Sequence, residues 1–293
     1  GYRMVYSGKW HVSNRENPRD RGWEERAVGG PGNSEHGRPP LSRWEEAAQE
    51  PEQRRNRGQV LRPGWGNYQV YGTQPDTNGY RDSRDYEFVS LGIEALGDLT
   101  SGNDPWCLFI GPNGPHDPFI IPEPYASMYD PGDIELPPSY QDRMEDKPRI
   151  YQRMRQQYWD QLSETEVRES IAFYWGYCTM MDDMFGEIMK ALDATGEADR
   201  TVVVRMSDHG DYCGAHGLYC KGVPPFREAY NIPLVIRWPE GISQPGRETD
   251  ALVNLLDFAP TFLELGGVTD IPEHIAGSSL TPFFATSEPK DWR

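Results

Sequence analysis

The run Thr201-Val202-Val203-Val204-Arg205-Met206 leads directly into Ser207-Asp208-His209-Gly210-Asp211, with His216-Gly217 and Lys221-Gly222 close behind. A threonine and three valines in succession are β-branched and favour a pleated strand. Ligands of open α/β sheets sit just beyond the carboxyl ends of strands. Asp208 and His209 therefore stand where a metal or an anionic group is held. Asp208 offers a hard carboxylate oxygen, and His209 offers a ring nitrogen that ligates metal when neutral. Lys221 adds a mobile positive charge suited to an anionic substrate. A polar turn after a buried strand would explain an Asp-His pair alone. The Gly-Asp, His-Gly and Lys-Gly steps that follow weigh against that reading.

Working outward, strand and helix patterns alternate. Gly1 to Tyr6 reads as a strand ending at Ser7-Gly8-Lys9-Trp10-His11. Asp85 to Leu99 has helical spacing. Trp106 to Ile110 is a buried strand between Asp104-Pro105 and Gly111-Pro112, followed by the stiff loop Gly114-Pro115-His116-Asp117-Pro118-Phe119. Ser163 to Leu192 is the clearest helix. Ser163 and Glu166 make a capping box, and Val167, Ile171, Tyr174, Cys178, Met181, Phe185, Ile188 and Leu192 repeat at helical spacing. Gly196 is its stop, and its methionines are core filler. Ile232 to Trp238 is a strand. Leu252 to Leu265 is a helix with Pro260 in its first turn, ended by Gly266-Gly267. The alternation predicts an α/β domain over 1–293, with a central, mostly parallel sheet and helices on both faces. Residues 14 to 67 lack periodic apolar positions. They form a long excursion, centred on 30–70, with one helix near Ser42 to Gln53. Residues 120 to 160 read as irregular.

The chain of 293 residues carries 29 basic and 46 acidic residues, a formal charge of −17. That excludes a general nucleic-acid binder, which needs a basic face, and it means that an anionic substrate requires a local positive pocket. No apolar run reaches the length of a membrane span. The four cysteines, Cys107, Cys178, Cys213 and Cys220, do not form a disulfide framework, so the compartment stays open.

Polar groups follow apolar segments at Lys9 and His11, at His116, at Asp208 and His209, and at Lys221. If the preceding segments are parallel strands, all lie on one rim, as α/β enzymes build their sites. Cys213 and Cys220 with His209 and His216 offer a zinc alternative, but the spacing is not that of a finger and Lys221 opposes the metal charge. Asp211 reads as a hydrogen-bonding turn residue, and His216 as either a site neighbour or a structural residue. Trp10, Trp23, Trp44 and Trp65 could stack on sugars, although packing is the simpler reading. Arg54, Arg55 and Arg57 read as a solvated basic strip. His36 and His274 lie in loops.

Taken together, Gly8-Lys9-Trp10-His11, Pro115-His116-Asp117-Pro118, Ser207-Asp208-His209-Gly210, Gly214-Ala215-His216-Gly217 and Lys221-Gly222 resemble successive motifs of the sulfatases of the alkaline phosphatase superfamily. Arg227 to Tyr230, Ile232 to Gly241, Asp257 to Thr261 and Gly277 to Leu280 continue the resemblance in order. It implies an alkaline-phosphatase-like fold and a formylglycine-dependent hydrolase of sulfate monoesters, on a carbohydrate or aryl group. One divalent cation is implied, usually Ca2+, with Mg2+ or Mn2+ as alternatives. By matching position, Asp208 and His209 are two metal ligands; many relatives carry Asn in place of this His. Lys9 and His11 contact the nucleophile, with His11 as base. His116 and Lys221 grip the sulfate and help the leaving oxygen depart. The partner implied is a sulfated small molecule or glycan, and a periplasmic or extracellular location is suggested.

No cysteine or serine here sits in the family's Cys/Ser-x-Pro/Ala-x-Arg motif, which lies upstream of the Lys-Trp-His step, as do the paired acidic ligands. The resemblance therefore implies a domain incomplete at both ends and inactive alone. A phosphonate or phosphate ester hydrolase of the same superfamily, or a non-catalytic binding homologue, are the alternatives.

Overall fold

A computed structural model describes residues 1–13, 15–30, 54–62, 66–75, 78–290 and 292. The helix expected near Ser42 to Gln53, together with His36, Trp44 and Trp65, falls outside the described residues. The chain divides into two compact units: 1–195 with 209–231, and 196–208 with 232–293.

In the larger unit, β1 (Arg3–Lys9) is the middle strand of a parallel sheet, flanked by β2 (Glu24–Gly29) and β6 (Trp106–Gly111). β1 thus runs three residues beyond the expected end at Tyr6, so that Lys9 is its last residue. β2 was not legible. It is an edge strand that exposes Glu24 and Arg26, and Arg3 meets Glu24 through two contacts of 2.8 Å, an exposed pair worth little. β6 is not the fully buried strand expected. It covers only alternate residues, leaving Cys107 exposed and Phe109 36% exposed. Helix α1 (Arg84–Thr100) lies across this sheet and packs Ala95 and Leu99 against Val5, Trp106 and Leu108. Gly8 and Gly111 face each other across the β1–β6 ladder. A Cβ on Gly8 would stand 2.3 Å from the Gly111 oxygen, so no side chain fits there.

Four further strands, also unread in the sequence, belong to this unit. β3 (Gln59–Arg62) and β4 (Gly66–Gln69) pair antiparallel, and β5 (Tyr71–Thr73) pairs parallel with β7 (Phe119–Ile121). The excursion is therefore structured at its far end. Helix α2 (Arg149–Gln157) replaces part of the irregular stretch. Its sequence, RIYQRMRQQ, hides the signal because the residue it buries is Arg155, which donates to the carbonyls of Tyr140 and Asp142 at 2.8 and 2.7 Å. Helix α3 (Glu164–Thr195) is the scaffold. Its capping box is in place: Ser163 Oγ accepts from the Glu166 amide at 3.3 Å, and Glu166 Oε2 accepts from the Ser163 amide at 2.9 Å. It packs Ile171, Met180 and Met184 among Phe119, Ile121, Tyr125, Tyr212 and Tyr219, each large apolar side chain contributing about 1.5–3 kcal/mol. The methionines are core, as expected. Two residues of the basic strip are ion-paired: Arg55 grips Glu166 at 2.6 and 2.8 Å, and Arg57 grips Glu169. α4 (Arg227–Tyr230) is a single turn.

The smaller unit holds β8 (Val203–Met206) and β9 (Leu234–Arg237), within the two stretches expected to be strands. They pair antiparallel, from Val203 opposite Arg237 to Met206 opposite Leu234. Among the described residues the expected central, mostly parallel sheet is thus only a three-stranded parallel sheet, β2-β1-β6; the other strands form separate pairs, parallel in β5-β7 and antiparallel in β3-β4 and β8-β9. Helix α5 (Phe258–Leu265) starts six residues later than the expected Leu252, which places Pro260 in its first turn. Buried Asp257 accepts from the Asn254 and Ser278 amides at 2.8 and 2.9 Å. Thr261 Oγ1 accepts from the Leu280 amide at 2.8 Å. These contacts bring the Asp257–Thr261 and Gly277–Leu280 stretches together. Among the described residues no helix is long and apolar enough to cross a membrane.

Candidate active site

The loop after β6 carries His116, and a tight turn before α4 carries Lys221. The structure brings the two together: Lys221 Nζ is in hydrogen-bonding contact with His116 Nε2. An ammonium only donates, so Nε2 is the acceptor and the ring proton sits on Nδ1. That proton is held by Asp117, whose carbonyl oxygen is 2.8 Å from Nδ1 and whose Oδ1 is 3.1 Å away. The His209 ring meets His116 edge to face, with centroids 5.7 Å apart. His209 Nδ1 donates to the Gly210 carbonyl at 2.8 Å, which places the ring lone pair on Nε2.

Asp117 holds the cluster's negative charge. Burial alone would raise its carboxyl, but contacts with His116, then Tyr68 and Cys220, outweigh burial and hold it well below the usual carboxylate range. It therefore stays ionised beside the cationic pair. Asp211 behaves differently. Burial is its largest influence and, with the nearby Asp117 charge, pushes its carboxyl up to about 7, against the amides that it accepts. Its role is the turn role expected: Oδ1 accepts from the amides of Cys213 at 2.7 Å and Cys220 at 3.1 Å. Those two bonds close the turn that ends at Lys221. Cys213, His216 and Cys220 all have positive φ (43°, 53° and 61°), a strain of order 1–3 kcal/mol each that surrounding contacts must hold.

Other elements support the loop. Asp85, buried in the first turn of α1, accepts from the amides of Asn113 and Gly114 at 2.6 and 3.1 Å and from the Tyr177 hydroxyl at 2.6 Å. It thereby ties the His116 loop to both α1 and α3. Gly210 approaches α4 so closely that a Cβ would stand 2.0 Å from the Glu228 oxygen. Gly210→Ala is expected to cost about 1–3 kcal/mol and to shift His209, as thermal denaturation and activity of the variant would register.

Lys9, at the end of β1, lines a cleft of about 390 Å³ with Gly29, Gly30, Asp85 and Asn113. His11 lies two residues beyond the strand and is exposed. His216 is turned to Asp142, with Nδ1 2.7 Å from Oδ2, and stacks on Phe226 at 3.7 Å. Its role is structural in this arrangement. Cys220 contacts Asp117, all four cysteines are free thiols, and the thiols of Cys213 and Cys220 are pushed up by burial. This does not bring His216 and the thiols to one zinc site.

Asp208 belongs to the smaller unit and His209 to the larger. A carboxylate oxygen and a ring nitrogen suit a divalent cation, but they are a partial set. Among the described residues no group of three or more His, Cys, Asp or Glu could hold a metal ion. These two donors alone do not make a cage.

Three functional features were not legible in the sequence: the Tyr68–Asp117 contact, the Asp85 clamp and the Asp142–His216 pair. Each depends on residues brought from 28 or more positions away, and none has a local pattern.

The family model described as Sulfatase matches residues 1–268. The chain is 33% identical over 206 residues to the multifunctional alkaline phosphatase superfamily protein PehA of Trinickia caryophylli, covering 64% of this chain and 39% of that protein. It is 38% identical over 129 residues to arylsulfatase K of Xenopus laevis (44% and 23% covered). It is 37% identical over 115 residues to N-acetylglucosamine-6-O-sulfatase of Bacteroides thetaiotaomicron (39% and 20% covered). The matches thus span 20% to 39% of these relatives' own lengths. Among solved structures, the phosphonate monoester hydrolase of Agrobacterium radiobacter matches 100% of this chain and 61% of its own, with TM-score 0.72 and 23% identity. An enzyme in complex with its substrate D-glucosamine-2-N,6-O-disulfate matches 100% of this chain and 64% of its own, with TM-score 0.63 and 19% identity. At such identities the likeness establishes a shared fold. With the family match running from the first residue to position 268, the chain belongs to the Sulfatase family of the alkaline phosphatase superfamily.

Proposed function

We propose that this Sulfatase-family chain serves a sulfuric ester hydrolase acting on a sulfate monoester of a sugar or aryl alcohol, with His116 and Lys221 as its leaving-group pair. The observation that carries the reading is the Lys221–His116–Asp117 line of contacts. Lys221 supplies the positive charge that an anionic ester needs in a chain of −17. As the S–O bond to the leaving alcohol breaks, its electron pair passes to the leaving oxygen. The proton shared by Lys221 Nζ and His116 Nε2 neutralises that oxygen, while ionised Asp117 stabilises the imidazole through Nδ1–H.

In the same reading Lys9 and His11 face the attacking group, with His11 as a base, and Asp208 and His209 are two ligands of a divalent cation, calcium by the family resemblance. Such a cation would neutralise charge on the ester oxygens, and formylglycine would supply the attacking oxygen. The sugar preference is supported by the relatives' names: one is an N-acetylglucosamine-6-O-sulfatase.

The test compares 4-nitrophenyl sulfate with 4-nitrophenyl phosphate and a phosphonate monoester as substrates of the native full-length protein. A kcat/KM for the sulfate at least tenfold above the other two is expected. Preference for phosphate or phosphonate would move the assignment to that branch of the superfamily, and turnover of none would favour a non-catalytic binder.

A further inference from the structure

Asp117 is held from the side opposite His116. The Tyr68 hydroxyl donates to Asp117 Oδ2, while Oδ1 of the same carboxylate faces His116 Nδ1 at 3.1 Å. The Asp117 side chain is only 7% exposed, so water cannot readily replace a lost donor. Burial, with the Asp117 charge beside it, pushes the Tyr68 hydroxyl far above its ordinary range, so it remains a neutral donor throughout the working pH range.

Tyr68 reaches this position because β3 and β4 fold back as a hairpin in which it stands opposite buried Val60. The hairpin is anchored to the scaffold at several points. The Leu61 amide donates to Gln161 Oε1 at 2.9 Å, Gln161 Nε2 donates back to the Leu61 carbonyl at 3.0 Å, and the Gly58 amide donates to Glu166 Oε1 at 3.0 Å. The Arg62 guanidinium lies 4.7 Å from the Tyr68 ring centroid, which favours one ring orientation.

We infer that Tyr68 is a positioning residue for the hydrolysis: by holding Asp117, it fixes the ring plane and Nδ1–H tautomer of His116, so that Nε2 faces Lys221. The inference deepens, and rests on, the reading of His116 and Lys221 as the leaving-group pair. A hairpin from the least patterned part of the chain thereby sets the efficiency of leaving-group departure. Tyr68 itself moves no proton and touches no substrate.

The experiment is a double-mutant cycle on the full-length protein with Tyr68→Phe and Asp117→Asn. Y68F keeps the ring and removes the donor. Its kcat for an alkyl sulfate, whose alkoxide leaves poorly, is expected to fall about tenfold with KM within about twofold, and to fall less for 4-nitrophenyl sulfate. Y68F should add little further loss in the D117N background, because the path through Asp117 is already broken. Losses that multiply, or that ignore the leaving group, would overturn the inference. A second readout does not depend on turnover: nitrogen-15 NMR of labelled histidine should show one His116 tautomer in the wild type and a mixture in Y68F and D117N. An unchanged tautomer in both variants would overturn the inference even if the activity reading stood. Wild-type protein inactive on every ester, with the tautomer change still present, would place the failure in the activity reading instead.

Discussion

Replacing Lys221 by alanine in the full-length protein should lower kcat for 4-nitrophenyl sulfate by about 10²–10³, with a smaller effect on KM. Lys221 is the cation in direct contact with the His116 ring. Its charge is of most use when negative charge moves onto the leaving oxygen, so the loss belongs to the transition state more than to binding. His116→Ala should cost a similar factor, about 10²–10⁴. The double variant should lose little more than the worse single variant, because the two groups hold one proton between them and act as a unit. Steady-state kinetics of the three variants decide the matter. Losses that multiply would mean that the two residues act separately and that their contact is incidental.

Glu166→Ala should lower the unfolding free energy by about 2–4 kcal/mol, the largest stability effect expected of a single surface-adjacent change. Glu166 is buried, and its carboxylate ties the stretch before β3 to the start of α3: it pairs with Arg55, accepts from the Gly58 amide and closes the helix cap with Ser163. Removing it strands a partly buried guanidinium and two amides. The same carboxylate gives a pH signature. The Arg55 hydrogen bond, opposed by burial and helped by the Ser163 and Gly58 amides, holds it well below the usual carboxylate range. Its stabilisation is thus fully present above the ordinary glutamate value of about 4.3 and is lost as the pH falls through the lowered folded value. Urea unfolding at pH 7 and pH 3.5 should show the wild type losing more stability on acidification than Glu166→Gln. Equal losses would remove Glu166 as the source.

Much of this was legible from residue types. The capping box at Ser163 and Glu166, the long amphipathic helix and the strand at 203–206 follow from local periodicity and local hydrogen bonding, and the structure holds them within a few residues of the expected limits. Strands such as β2, with Glu24 and Glu25 at its start, carry charge where a buried strand would carry valine, so their pairing depends on β1 and leaves no pattern of its own. The α2 helix hid for the same reason: the residue it buries is an arginine whose partners come from a distant loop. At the site, His116, His209 and Lys221 announced themselves as polar residues following apolar segments, and His116 and Lys221 meet. Tyr68 and Asp85 could not be read that way. Each acts on the His116 loop from far along the chain, and only the folded hairpin and the start of α1 bring them there.

In the proposed reaction Lys221 and His116 receive the ester anion. The most direct measurement is a crystal structure of the full-length protein with an unreactive aryl sulfonate in place of the sulfate ester. An anionic or bridging oxygen within about 3 Å of Lys221 Nζ or His116 Nε2 is the result the account requires. A sulfonate seated elsewhere, with Lys221 and His116 still turned only toward each other, would contradict it.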